Sequence, residues 1–287
     1  MICEMKPVFQ VKKPHWAQAA ETIAVLQAIG GFEAPAQALF VGGCVRNLLV
    51  GQEKGQAKDR GNSPEETDID IATIHEPCEV INRCEQAGIQ TVPTGLHHGT
   101  ITAIINKKSF EITTLRQDIE TDGRHAIIRY TKEWDQDARR RDFTMNTLLM
   151  DGQGYIYDPL GSGVQDIKSR RIVFVGNPEE RIQEDILRIL RFFRFYAQYG
   201  QGEIDPQGLQ ACRAAGDRIK TLSRERITQE FFKILIISDP VPIFNIMFSN
   251  NVMHDIISSD YQEKILQKLC GLQQRYSTSN LVSRLFA

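Results

Sequence analysis

Ala38-Leu39-Phe40-Val41-Gly42-Gly43-Cys44-Val45-Arg46 runs from a short apolar segment through two glycines into residues at helical spacing, which predicts strand, tight turn and helix in that order. Glycines at such a turn let backbone N–H groups approach an anion, and the N-terminus of the following helix adds a favourable dipole. Arg46, one turn into that helix, can reach the same anion. Gly42, Gly43 and Arg46 are therefore candidate phosphate-binding residues, although a glycine pair by itself also serves as a plain tight turn.

Downstream, Asp68-Ile69-Asp70 opens an expected strand over 68–74. Side chains alternate along a strand, so both carboxylates leave one face while Ile69 and Ile71 point to the core. Two carboxylates on one rigid face suit Mg²⁺, which takes one or two of them together with substrate phosphates. Asp68 and Asp70 are thus the candidate metal ligands. Taken alone, an Asp-x-Asp triplet is also an ordinary half-exposed strand, and glycosyltransferases carry it too.

The remaining sequence builds an α+β chain outward from these motifs. Helical periodicity over 15–29 ends at Gly30-Gly31, and a second helix over 76–87 is closed by Gly88. Residues 52–66, rich in Gly, Lys, Glu and Asn, read as a surface loop. Residues 100–105 and 110–115, joined by Asn106-Lys107-Lys108-Ser109, read as a hairpin. Further strands are expected at 147–150 and 155–157. Beyond Val175 strand signals fade, and 179–199, 206–215, 224–237 and 262–275 read as helices. A boundary near Gly176 then separates a head domain of mixed sheet flanked by helices, 1–176, from a helical neck and partial body, 177–287.

Hydrophobic residues at 41% and charged residues at 24% sit near the soluble-protein average, so neither a disordered nor a fibrous class is indicated. The sequence has no stretch that predicts a membrane span and no secretion signal at its start, so no membrane partner is expected and the cytoplasm is the expected compartment. The six cysteines are scattered without a Cys-x-x-Cys pair, which argues for reduced thiols rather than zinc or disulfides. A net charge of −2 requires that any nucleic-acid site be a local basic patch, and the arginine-rich 181–194 segment is the candidate.

Set in order along the chain, these motifs resemble the DNA polymerase β nucleotidyltransferase superfamily, and within it the class II CCA-adding enzymes and bacterial poly(A) polymerases. Gly42-Gly43-Cys44-Val45-Arg46 is similar to the family's GGxVR, and Asp68-Ile69-Asp70 to its DxD. Arg140-Arg141-Asp142-Phe143-Thr144-Met145-Asn146 is similar to RRDFTxN, Asp158-Pro159-Leu160-Gly161 to DPxxG, and 184–194 to EDxxRxxRxxR. Three features depart from the pattern. Asn47 stands where Asp is usual, and the connection over 52–67 is longer than usual. The chain also ends at Leu285-Phe286-Ala287, short of the helical body and tail the resemblance implies, so a shortened product with weakened RNA affinity is expected.

The resemblance implies a template-independent tRNA nucleotidyltransferase that adds C and A to the tRNA 3′ end from CTP and ATP, with Mg²⁺ as cofactor. Glu111 becomes the third catalytic carboxylate beside Asp68 and Asp70, and Arg141 and Asp142 become ribose or triphosphate contacts. Of Arg139, Arg140 and Arg141, at least one must face solvent or serve structure, since a helix cannot aim all three one way. A carboxylate beside a guanidinium complements the amine and ring-nitrogen edge shared by cytosine and adenine. Asp185 and Arg188, three apart on an expected helix, offer that pair, and an intrahelical ion pair is the plainer alternative. Arg191 and Arg194 drift around the helix by about 60° per step and are assigned to the triphosphate. Phe192, Phe193, Phe195 and Tyr196 are read as core. Residues 117–137 correspond in the resemblance to the flexible loop that switches CTP to ATP. His254-Asp255 and His97-His98 lack further ligands and are set aside. Poly(A) addition, a non-catalytic RNA-binding relative and a DxD glycosyltransferase remain the alternatives, the last leaving the RRDFT motif unexplained.

Overall fold

The computed structural model describes residues 5–53, 68–121, 126–253, 256, 262–275 and 281–285. These form two compact units, the first ending at Ser169 and the second starting at Arg170.

The first unit is built on an eight-stranded mixed sheet. Its early elements are β1 (Phe9–Gln10), α1 (His15–Gln18), α2 (Ala20–Ala28), β2 (Ala38–Val41), α3 (Gly43–Glu53), β3 (Ile69–Thr73) and α4 (Pro77–Gln86). β4 (Gln90–Gly95), β5 (Thr100–Ile105), β6 (Lys108–Thr114), β7 (Arg116–Thr121), β8 (Ala126–Tyr130) and α5 (Trp134–Arg139) follow. β9 (Leu149–Met150), β10 (Tyr155–Tyr157) and α6 (Gly163–Lys168) complete it. The strand order is β1-β10-β9-β2-β3-β6-β5-β4, with β7 and β8 as a separate antiparallel pair. β3 and β6 run parallel, and the chain crosses between them through α4 and the antiparallel strands β4 and β5.

One row across this sheet, Phe40, Ile71, Ile112 and Ile101, is fully buried, as strands covered on that face require. The opposite face carries a smaller apolar cluster in which Trp134 of α5 packs with Leu39, Val41, Ala72, Ile74, Leu115 and Leu149. Two expectations are corrected here. The helix over 15–29 divides at Ala19, which is extended (φ −63°, ψ 140°), although the apolar spacing runs through the break. The 117–137 stretch, read as a loop, contains the β7–β8 pair, whose β-branched Ile127 and Ile128 match a strand, and the helix α5. Gly123-Arg124-His125 and most of the expected 52–66 loop lie outside the described residues, and α3 runs on to Glu53.

The second unit is helical in its described elements: α7 (Pro178–Glu184), α8 (Leu187–Tyr199), α9 (Pro206–Ala215), α10 (Arg224–Leu235), α11 (Val241–Ser249), α12 (Glu263–Arg275) and α13 (Leu281–Leu285). Asn177, Asp205 and Ser223 cap α7, α9 and α10 with side-chain acceptors. The core centres on α8, where Phe192 stacks on Phe174 at 5.3 Å between centroids and meets Phe193 edge-on. Phe192 and Phe193 are fully buried and Phe195 nearly so, so these rings pack rather than stack on bases, and truncating Phe192 to Ala would cost about 3–5 kcal/mol. Tyr196 is half-buried and donates its hydroxyl to the Gly202 carbonyl at 2.5 Å.

The single helix expected over 179–199 is interrupted. Asp185 adopts an extended conformation (φ −152°, ψ 108°) between α7 and α8, and its carboxylate accepts the Leu187 N–H at 3.1 Å. The gap separates the helix carrying Glu184 from the one carrying Arg188.

Candidate active site

The centre of the first unit is where β2 ends and α3 begins. Val41, the last residue of β2, pairs with Asp70 on β3, and Asp70 pairs in parallel register with Glu111 on β6. Two carboxylates opposite each other on adjacent strands project from the same sheet face. Asp68 stands one residue before β3 and is exposed, while Ile69 and Ile71 are buried as alternation requires.

The turn closes on these carboxylates. Gly42 has φ +71°, the left-handed region that glycine enters without strain. A methyl group on Gly42 would lie 3.3 Å from Asp70 Oδ2 and 3.9 Å from Arg141 Nη1, and one on Gly43 would lie 3.7 Å from Arg46 Nη2. The turn, Asp70, Arg46 and Arg141 are therefore close neighbours. The first-turn amides of α3 point out of the helix without helical acceptors, which suits an anion at this spot.

Electrostatics supports a cation there as well. The acid of Asp70 is pushed up to about 6, first by burial and then by the charge of Glu111, with Asp68 adding to it and Arg141 and Arg46 opposing. A half-buried carboxylate crowded by its own kind favours either a proton or a metal ion. Among the described residues no group of three or more His, Cys, Asp or Glu side chains is drawn together tightly enough to hold a metal by itself. A hard cation such as Mg²⁺ takes one or two carboxylates together with substrate phosphates and water. Cys44, buried beneath the turn, is pushed up to about 12, first by burial and then by the Asp70 charge, so its thiol is a packing group near neutrality.

Arg46 and the RRDFT segment meet in a buried polar network. Arg46 donates from Nη1 to Asn146 Oδ1 at 2.7 Å, and Asn146 donates from Nδ2 to Asp142 Oδ1 at 2.9 Å. Asp142 also accepts the Phe143 N–H at 2.9 Å and is buried, so these bonds help to fix the RRDFT segment. Asn47 accepts from Arg46 Nε and Nη2 at 3.2 and 3.0 Å, which shows how the side chain found in place of the usual Asp is accommodated. Asp158 caps the next turn, accepting the Gly161 and Val164 amides at 3.0 Å each.

Sequence reading missed Asp137. This residue of α5 is 3% exposed and accepts Nε and Nη2 of Arg141 at Oδ2 (3.1 and 2.9 Å) and Nε of Arg140 at Oδ1 (2.8 Å). Burial pushes its acid up, but Arg141 and Arg140 outweigh that and hold it below the ordinary range. Arg139 points away, its side chain 69% exposed, so the three arginines divide as helix geometry demands. The Asp137 and Arg141 spacing of four, read as an ion pair, was the available signal.

In the second unit Asp185 and Arg188 do not share one helix as expected. Nη2 of Arg226 donates to both oxygens of Asp185, at 2.9 and 2.8 Å, while Nη1 of Arg188 donates to Glu184 Oε2 at 2.6 Å and to the Arg181 carbonyl at 3.0 Å. Each is held by a partner of opposite charge or polarity. Arg194 donates to buried Glu230 at 2.6 Å and lies 4.5 Å over the Phe195 ring, and Arg191 lies 5.4 Å over the same ring. Arg194 thus has a structural partner that its assignment to the triphosphate did not foresee. His97 and His98 are exposed in a 3-10 turn, and His254-Asp255 lies outside the described residues.

Residues 38–173 match the family described as "Poly A polymerase head domain", and residues 203–266 match "Probable RNA and SrmB-binding site of polymerase A". The Danio rerio protein "CCA tRNA nucleotidyltransferase 1, mitochondrial" is 41% identical over 200 residues, spanning 69% of this chain and 43% of its own length. The "CCA-adding enzyme" of Lactobacillus helveticus is 34% identical over 257 residues, 88% of this chain and 59% of its own. Among solved structures, the Bacillus stearothermophilus CCA-adding enzyme in complex with CTP superposes with a TM-score of 0.69 at 29% identity, covering 88% of this chain and 57% of that one. The Thermotoga maritima CCA-adding enzyme complexed with tRNA, at 19% identity and a TM-score of 0.70, covers 98% of this chain and 66% of its own and shares the fold. The chain spans about half the length of the curated relatives it matches. With the glycine turn, the paired carboxylates and the RRDFT segment in place, the chain belongs to the nucleotidyltransferase family of CCA-adding enzymes and poly(A) polymerases.

Proposed function

We propose that this chain carries the catalytic part of a template-independent tRNA nucleotidyltransferase that adds C and A to the tRNA 3′ end from CTP and ATP. The observation that carries the reading is the in-register pairing of Asp70 with Glu111 beside the Gly42 turn, with Arg141 at the same turn. In the reaction the RNA 3′-hydroxyl gives up its proton to solvent as its oxygen bonds to the α-phosphorus of the nucleotide, and the bond from that phosphorus to the bridging oxygen breaks to release pyrophosphate. Asp68 and Asp70 are the residues that would hold Mg²⁺, which when bound supplies Lewis-acid stabilisation of charge on the phosphoryl oxygens. The amides at Gly43 and beyond cradle the phosphates, and Arg141 balances their charge. Arg46, through Asn146, and Asp142 keep the RRDFT segment in place. Glu111 completes the acidic face.

Base choice is proposed to rest on Asp185 and Arg188 within the helical region 177–287, which is assigned to nucleotide and RNA binding, with Arg191 and Arg194 toward the triphosphate. The alignment of Asp185 by Arg226 and of Arg188 by Glu184 supports this, because a preorganised donor and acceptor pair discriminates better than mobile side chains. No helix among the described residues is long and apolar enough to cross a membrane. The dispersed thiols support the cytoplasm as the proposed compartment.

The decisive assay supplies Mg²⁺ and tRNA ending at the discriminator base, with CTP and ATP given separately and together, and sequences the 3′ ends. Addition of CCA is expected. Tracts of A on any RNA would favour poly(A) polymerase, the reading suggested by the family descriptions matched. An absence of incorporation would sink the enzymatic reading. Asp68→Ala is expected to abolish addition of every nucleotide, whereas Asp185→Ala relaxes base choice first. Equal loss of rate with unchanged base preference in the second variant would refute the base-reading role.

A further inference from the structure

Arg141 presents a physical problem. It shares the Gly42 turn with Asp70, and the distances from the Gly42 methyl position put Arg141 Nη1 and Asp70 Oδ2 no more than about 7 Å apart. A long, mobile guanidinium so near a half-buried carboxylate flanked by Asp68 and Glu111 should collapse onto it. That pairing would spend the positive charge a triphosphate needs and occupy the carboxylate a cation needs.

Asp137 stands in the way of that collapse. Its Oδ2 engages both Nε and Nη2 of Arg141, so one whole edge of the guanidinium is committed. The remaining nitrogen, Nη1, is the one 3.9 Å from the Gly42 methyl position and 3.5 Å from the Asn146 carbonyl oxygen, a separation too long for a strong hydrogen bond. Asp137 is itself held on several sides. It is 3% exposed on α5, its other oxygen accepts Arg140 at 2.8 Å and the Arg116 N–H at 3.3 Å, and Trp134 of the same helix packs into the sheet.

We propose that Asp137 is a positioning residue for nucleotide binding: it clamps one edge of Arg141 so that Nη1 faces the glycine turn, and it keeps Arg141 from neutralising Asp70. The inference rests on the nucleotidyltransferase reading above and adds to it a residue outside the motif residues of the site. Asp137 need not touch the nucleotide. It acts by denying Arg141 its alternative partner, which is pre-organisation in the ordinary sense.

The test uses Asp137→Asn and Asp137→Glu, each alone and combined with Arg141→Ala. ATP binding in the presence of Mg²⁺ is measured by calorimetry without RNA, together with the Mg²⁺ midpoint, KM for ATP, KM for tRNA and kcat. Asp137→Asn should weaken ATP binding about tenfold or more, the scale of a lost charge-assisted contact. It should also raise the Mg²⁺ midpoint and KM for ATP while leaving KM for tRNA unchanged. In the Arg141→Ala background the same substitution should add no more than about twofold, because the clamped group is gone. Should Asp137→Asn fail to fold, Asp137→Glu carries the test. It retains the charge but shifts it by one methylene, and ATP affinity should fall several-fold. Wild-type ATP affinity and Mg²⁺ midpoint in a cooperatively folded variant, or full additivity with Arg141→Ala, would overturn the proposal. If the unmodified chain binds ATP and these variants bind it equally well, Asp137 is structural and the nucleotidyltransferase reading stands. If the unmodified chain binds no nucleotide at all, both fall together.

Discussion

Replacing Asp70 with Asn should make the protein more stable and catalytically dead at once. An acid that ionises at about 6 in the folded chain and at 3.8 in the unfolded one costs the folded state about 3 kcal/mol once fully ionised. The sign follows from proton counting. Between these two values the folded chain holds more protons at Asp70 than the unfolded chain, so stability falls as pH rises through that window and stays low above it. Asn mimics the neutral acid and escapes this cost. Solvent reaches part of the side chain, so a gain of about 2 kcal/mol at pH 8 is expected, or about 4–8 °C in melting temperature for a unit of this size. The advantage should halve by about pH 5 and vanish below about pH 4. Thermal unfolding without divalent cations at pH 8, 5 and 4, followed by the same scans with Mg²⁺, measures it. Mg²⁺ should raise the melting temperature of the natural protein and leave that of Asp70→Asn unchanged. A variant that melts no higher than the natural protein at pH 8, or by a margin independent of pH, would refute the view that crowded negative charge strains this site.

Gly42→Ala forces a left-handed backbone on alanine and brings a methyl to 3.3 Å from Asp70 Oδ2, so stability should fall by about 1–2 kcal/mol in denaturant titration and ATP affinity by more than about tenfold in calorimetry. Apparent Mg²⁺ affinity should weaken about tenfold from pH 8 to pH 5, because a proton at Asp70 competes with the ion, and titration of nucleotide addition with Mg²⁺ at both pH values checks this. Glu230→Ala leaves Arg194 and Lys233 without their shared buried partner and should cost about 3 kcal/mol in urea unfolding, whereas a change within 0.5 kcal/mol would contradict the pairing.

The elements most legible in the sequence are those written by local rules. Gly30 and Gly88 end helices at φ +78° and +72°, and the alternation of Asp70 with Ile69 and Ile71 places the carboxylate correctly because it depends only on the strand period. The turn at Gly42 is equally local. What escaped reading depends on partners far along the chain. The break at Asp185 accompanies its pairing with Arg226, a residue on another helix, while the apolar spacing of 179–199 continues across it undisturbed. The β7–β8 pair hides behind polar composition, since a two-stranded ribbon needs little apolar surface to register in a sequence. Glu111 could be named by resemblance, but its place opposite Asp70 depends on a parallel pairing that no local pattern encodes. Asp137 escapes a reading that ends a loop at 137, because its value comes from standing four residues before Arg141, whose side chain it pairs.

The parallel joining of β3 to β6 also sets the order in which the paired carboxylates can come together. Asp70 and Glu111 come from strands with a whole helix and a hairpin threaded between them, and a parallel pair cannot form until that detour has closed. A chain emerging from the ribosome with β2 and β3 already zipped still lacks the second half of its acidic pair. On the proposed nucleotidyltransferase reading, the acidic pair is therefore complete only once that crossover has closed.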